Sequence, residues 1–214
     1  MLFFINFKAY NESIGKGAVQ LIRSIERNLS DYSSIVVVLN PLDSMIETKI
    51  QKYVQTAEPL GPGPFTGHIP IGVVKNYDYS GVMLNHSEFR ISNDAIGKSV
   101  EMASKLGLKT LVCAEGLERI KEIIPFKPDF IAYEPPELIG GNVSVSTAKP
   151  EIIGEAVDLL RGKGMKLIVG AGIKNRSDVR ISKDLGAEGI LVSSGVVKSP
   201  EPIKVIVEMM EEVV

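Results

Sequence analysis

Eight short runs rich in apolar and β-branched residues recur along this chain, at Leu2–Phe7, Ile35–Leu39, Tyr53–Ala57, Gly81–Asn85, Thr110–Ala114, Phe130–Tyr133, Lys166–Val169 and Gly189–Val192. Each has the length and composition of a buried strand. Between them, stretches such as Ala18–Leu29, Asp94–Leu106, Pro150–Leu160 and Ile203–Val213 space their apolar residues three and four apart, as one face of a helix does. Gly107, Gly162 and Gly186 stand where helices should end, and Ser92 and Ser177 where they should begin. Strand and helix alternate throughout on this reading. Alternation alone permits an open doubly wound sheet or a closed barrel, and a count of eight favours closure. No GxGxxG follows the first run, and the glycine-containing loops come late in the chain. The expectation is an α/β fold, a single eight-stranded parallel βα barrel over residues 1–214 as one domain.

Composition narrows the function. With 214 residues, 24 basic and 26 acidic, the chain has no basic stripe to neutralise nucleic-acid phosphates. The lone Cys113 excludes an intrachain disulfide, and two histidines with one thiol are too few for the usual zinc sets. A reducing cytoplasm fits best. The apolar start Met1–Ile5 is broken by Asn6 and Lys8, too short for a signal-peptide core or a membrane span.

Alternation in the first run puts Leu2, Phe4, Asn6 and Lys8 on one face that turns polar only at its C-terminal end. An amide and an ammonium would then point into the barrel mouth, unless the strand merely emerges into solvent. The fourth run ends in His86, at a strand terminus rather than on an apolar helix face, where a catalytic and an ordinary surface role are both open. His68, in a Gly/Pro-rich loop, is the weaker candidate. The sixth run ends in Glu134 followed by Pro135 and Pro136, a carboxylate capping an apolar strand, which reads as catalytic. Helical patterning resumes only near Thr147, which weakens the alternative that Glu134 caps the next helix, and the span to Val143 has the composition of a mobile lid. Gly170–Gly172 and Ser193–Gly195, after the seventh and eighth runs, would let backbone amides approach a phosphate at the loops a barrel uses for it.

Together these motifs resemble those of the triosephosphate isomerase family. Asn6-Phe7-Lys8 is similar to its N-x-K, Asn85-His86-Ser87-Glu88 to its (G/N)HSE, Ala132-Tyr133-Glu134-Pro135 to its AYEP, and Phe65-Thr66-Gly67 to the FTG of its interface-forming third loop. The short length and the segments Glu134–Gly140, Gly170–Ile173 and Ser194–Lys198 resemble the compact archaeal branch. The chain departs from the common pattern at Phe89, where most members carry arginine, at the lid Gly140-Gly141-Asn142, and at Ser193-Ser194 in place of two glycines.

The resemblance implies interconversion of dihydroxyacetone phosphate and D-glyceraldehyde 3-phosphate through an enediolate. It implies Glu134, His86, Lys8 and Asn6 as catalytic residues and Asn6, Lys8, Ile139, Gly172, Ser193 and Ser194 as substrate or phosphate contacts, with no metal and no cofactor. Glutamate, neutral histidine and closing lid are the family's own arrangement, carried over here by resemblance. His86 would be held neutral by a helix beginning after Ser87. Self-association through Gly61–Gly67, as a dimer or tetramer, and a small phosphorylated substrate are the partners implied, with neither nucleic acid nor membrane. The rivals are another phosphate-binding barrel with different chemistry and a non-catalytic scaffold.

Overall fold

A computed structural model describes residues 1–138 and 144–213. Eight parallel strands close on themselves: β1 (Leu2–Asn6), β2 (Ile35–Leu39), β3 (Gln51–Val54), β4 (Gly81–Leu84), β5 (Lys109–Ala114), β6 (Phe130–Tyr133), β7 (Lys166–Val169) and β8 (Gly189–Val192). Closure is made by β1, where Phe4 stands opposite Val36 of β2 and Leu191 of β8. The helices are α1 (Lys16–Asn28), α2 (Ile71–Val74), α3 (Asn93–Lys105), α4 (Leu117–Ile123), α5 (Val145–Ala148), α6 (Pro150–Leu160), α7 (Arg176–Asp184), α8 (Ser194–Val197) and α9 (Pro202–Val213).

The expected barrel is present, with local differences. The third strand starts at Gln51, two residues before the apolar run, because Lys52 is tolerated inside it. The Lys52 ammonium donates to the carbonyls of Ser44 (3.1 Å) and Ile46 (2.9 Å) and stands 5.0 Å over the Tyr79 ring, so burial leaves no unpaired charge. Alternation is also imperfect. Between β2 and β3 the described chain forms only a 3-10 turn, Pro41–Asp43, and between β3 and β4 the α-helix is the four-residue α2. Leu42 and Met45 on that first connection are among the most exposed apolar side chains. Gly107, Gly162 and Gly186 do end their helices at positive φ, and Ser92 caps α3 by accepting from Ala95 N at 3.2 Å. At α7 the cap is Asn175 rather than Ser177, because Asp178 three residues on completes a reciprocal capping box.

Two apolar shells hold the barrel. Phe4, Tyr53, Met83, Phe130, Ile168 and Leu191 belong to the interior, where Phe4 meets Tyr53 and Phe130 edge-on at 5.5 Å. The outward faces, such as Phe3, Val37, Val112 and Val169, pack with helix residues such as Ile22, Ile153 and Ile206. At Gly81 a β-carbon would lie 2.4 Å from Tyr53 Cζ, so only glycine fits beside that ring. With the interior filled, polar side chains are left to the C-terminal mouth, where Asn6, His86 and Glu134 are all buried.

Candidate active site

Asn6 ends β1 on the interior side, where alternation from Leu2 and Phe4 puts it. Its Oδ1 accepts from Lys8 N (3.0 Å) and Gln55 Nε2 (3.2 Å), which leaves the Asn6 Nδ2 donors for the cavity it lines. Gln55 Nε2 also reaches the carbonyls of Lys8 (3.0 Å) and Val38 (3.3 Å). One carboxamide thus fixes both the amide of Asn6 and the backbone that presents Lys8. Lys8 sits at φ 52°, a left-handed conformation unfavourable for a side-chain-bearing residue. Its ammonium lies at the mouth, 2.6 Å from Glu88 Oε1. Glu88 is 59% exposed, so the pair is screened and worth less than about 1 kcal/mol, weak enough to share Lys8 with an incoming anion.

His86 follows β4 at 6% exposure. The turn that carries it is shaped by Asn85, left-handed at φ 58°, whose side chain donates to Cys113 O (2.9 Å) and accepts from Ile91 N (3.1 Å). The helix expected after Ser87 is absent: α3 begins at Asn93, after a turn closed by Phe89 N to His86 O at 2.8 Å. Glu88 meets the ring instead, with its carboxylate Oε2 3.7 Å from Nδ1 and its backbone amide closer. Glu88 N donates to His86 Nδ1 at 3.2 Å, so Nδ1 is an acceptor and the ring proton belongs on Nε2. That Nε2 faces Glu134 Oε2 across 3.9 Å, too far for a direct hydrogen bond.

Glu134 continues β6, its N–H bonded to Ala114 O at 2.9 Å, and is 7% exposed. Its Oε2 is buried and has no hydrogen-bond partner among the described residues. An orphaned carboxylate oxygen is costly unless a ligand is to meet it. Gly170 gives the carboxylate its room: a β-carbon there would lie 2.6 Å from Glu134 Cγ and 2.9 Å from Oε1. The first glycine of Gly170–Gly172, expected to serve phosphate approach, therefore serves Glu134. Beneath lies Cys113, whose thiol is pushed well above its ordinary pKa by burial first and by the Glu134 carboxylate second.

A cavity of about 260 Å³ opens between these groups and the loops after β7 and β8, where Gly172, Ser193 and Ser194 line it as expected. Ala171 and Gly172 take φ 65° and 74°. Ser193 precedes α8, where its carbonyl accepts from Val196 N and Val197 N at 2.9 Å, so the helix's own bonds leave over the N–H groups of Ser194 and Gly195. Gly195 lets the two loops approach, since a β-carbon there would stand 3.3 Å from Ile173 O. Ile139 and the Gly140-Gly141-Asn142 lid lie outside the described residues. Before them Pro136–Leu138 forms a 3-10 turn, and after them α5 begins at Val145 rather than near Thr147.

His68 is not in the cavity; half exposed, it pairs with Glu58. At the Phe89 departure the aromatic ring is exposed, and the next residue, Arg90, bonds Glu115 (2.5 Å) and Asn85 O (3.5 Å). Sequence reading did not assign to the site Gln55, nor Tyr10 and Glu88, which line the cavity, nor did it assign Gly170 to Glu134. Among the described residues, no group of three or more His, Cys, Asp or Glu side chains is placed to hold a metal ion.

A closed parallel barrel with a buried carboxylate, an imidazole and an ammonium around a glycine- and serine-lined hollow at its C-terminal mouth places this protein among the TIM-barrel enzymes. The family model for triosephosphate isomerase matches residues 1–210. The chain is 48% identical to the triosephosphate isomerase of Thermoplasma volcanium over 205 residues, covering 94% of each chain. It is 41% identical to that of Saccharolobus solfataricus, over 96% of this chain and 92% of the relative, and 37% identical to that of Methanocaldococcus jannaschii, over 99% of each. The chain belongs to the triosephosphate isomerase family.

Proposed function

We propose that Glu134 is the base with which this isomerase interconverts dihydroxyacetone phosphate and D-glyceraldehyde 3-phosphate, a step of glycolysis and, reversed, of gluconeogenesis. The observation that carries the assignment is the Glu134 Oε2 atom, buried at the cavity without a hydrogen-bond partner among the described residues and facing His86 Nε2. The carboxylate takes a proton from C1 of dihydroxyacetone phosphate, and the C–H electron pair moves to form an enediolate. Moving the O1 hydroxyl proton to O2, within reach of His86 Nε2, and returning the carbon-bound proton from Glu134 to C2 gives the aldehyde. Charge grows on the two substrate oxygens as the C–H bond breaks, and His86 Nε2–H, Asn6 Nδ2 and the Lys8 ammonium are the donors that meet it. Nδ1 of His86, tied to Glu88 N, keeps the ring in the orientation that offers Nε2–H.

The phosphate of the substrate goes to the loops after β7 and β8, at Gly172, Ser193 and Ser194, with Lys8 at the mouth and Ile139 as the family-implied contact from the lid. Backbone amides at left-handed turns and a helix start suit an anion. We read residues 1–214 as one barrel domain acting in the cytoplasm; among the described residues no helix is long and apolar enough to cross a membrane. Self-association through Gly61–Gly67 rests on the likeness of Phe65-Thr66-Gly67 to the family's interface loop, and light scattering distinguishes monomer, dimer and tetramer.

The test is an isomerase assay coupled to a dehydrogenase, run on the wild type and on Lys8→Met. The wild type should turn over, and the variant should lose detectable competitive inhibition by glycerol 3-phosphate. Near-normal inhibition of Lys8→Met would refute the role given to Lys8, and no turnover by the wild type would refute the whole reading.

A further inference from the structure

The loop after β7 holds an unusual backbone conformation. Ala171 at φ 65° and Gly172 at φ 74° are consecutive left-handed residues, and an alanine stays there only when its surroundings fix it. The fixing group is Asp178, a charged side chain only 6% exposed. One of its oxygens, Oδ2, accepts from Lys174 N (2.9 Å) and Asn175 N (3.3 Å). The other, Oδ1, accepts from Ser144 Oγ at 2.5 Å. Ser144 is itself buried, at the start of α5, and next to it Val145 N donates to Ala171 O at 3.1 Å. A capping residue of α7 needs the bond to Asn175 N alone. The bonds to Lys174 N and to Ser144 do something else: they fasten the far side of the loop to the segment in front of α6.

The geometry points to Asp178 as a positioning residue for phosphate binding, its buried carboxylate setting the 171–174 backbone so that Gly172 and Ile173 line the cavity. This rests on the phosphate reading of the loops after β7 and β8. Replacing the carboxylate by a carboxamide removes the charge and leaves one accepting oxygen: with that oxygen on Lys174 N, the NH2 faces Ser144 Oγ and the charge-assisted bond from the hydroxyl is lost. Ser144→Ala removes the Oδ1 bond, together with the 3.0 Å contact of the same hydroxyl to Ser146 Oγ, and leaves the bonds to Oδ2.

The experiment measures competitive inhibition by inorganic phosphate, with KM and kcat, for the wild type, Asp178→Asn, Ser144→Ala and the double variant, together with thermal melting. Asp178→Asn should raise the phosphate Ki and KM by about tenfold or more and change kcat by less than about threefold. Ser144→Ala should raise Ki by a smaller factor, and the double variant should be no worse than Asp178→Asn, since both act through one carboxylate. If Asp178→Asn melts earlier but keeps Ki within about twofold of wild type, Asp178 merely caps α7 and the inference is overturned. Should that variant not fold, an unchanged Ki in Ser144→Ala overturns it equally. A wild type that inorganic phosphate does not inhibit would remove the phosphate reading itself, and this inference with it.

Discussion

Gly170→Ala isolates how closely Glu134 must be placed. Gly170 is not among the glycines at positive φ, so alanine is acceptable to the backbone and the change acts through space alone. The added methyl would lie 2.6 Å from Glu134 Cγ, 2.9 Å from Oε1 and 3.0 Å from Cδ. Carbon atoms in contact sit about 3.5–4.0 Å apart, so the carboxylate must retreat by roughly 1 Å. A displacement of that size at a reacting group costs about a hundredfold in rate, or about 2.7 kcal/mol of barrier. The coupled isomerase assay should show that loss in kcat/KM while circular dichroism remains that of the wild type. Gly154→Ala is the control: Gly154 lies in α6 with nothing within 4 Å of the new methyl, so activity should stay and stability should rise by about 0.5–1 kcal/mol. Turnover of Gly170→Ala within about threefold of wild type would refute the argument that Glu134 works from the position the structure gives it.

Two further outcomes follow from the residues around it. Gln55→Leu removes the donor that holds Asn6 Oδ1 and the Lys8 carbonyl, and should lower kcat/KM by about tenfold; activity within about twofold would show that Asn6 needs no such brace. Cys113, its thiol pushed up by burial and by Glu134, should resist alkylation at pH 8 in the native protein and react once unfolded, where a free thiol titrates near 8.5. Rapid labelling of the native protein would contradict the burial.

What could be seen before folding was whatever depends on local period. Alternation from Leu2 to Asn6 is enough to aim an amide at the barrel mouth, and an apolar strand ending in Glu134 leaves its carboxylate at the same end. Residues that act across the fold left no such trace. Gln55 stands 49 positions from Asn6 and looked like the middle of a strand. Gly170 looked like a phosphate glycine because nothing local shows that Glu134 folds against it. The amide at His86 Nδ1 comes from a two-residue turn rather than from a helix, which a helix-start pattern at Ser87 does not distinguish. Asn175 displaced Ser177 as a cap only because Asp178 completes the box.

Glu134 as the base is tested most directly by solvent deuterium entering C1 of dihydroxyacetone phosphate, followed by proton NMR in D2O. The wild type should exchange that position at a rate comparable to turnover. Glu134→Asp, which draws the carboxylate back by one methylene, should exchange at least about a hundredfold more slowly with its fold intact. Exchange at the wild-type rate in Glu134→Asp would mean that some other group moves the proton.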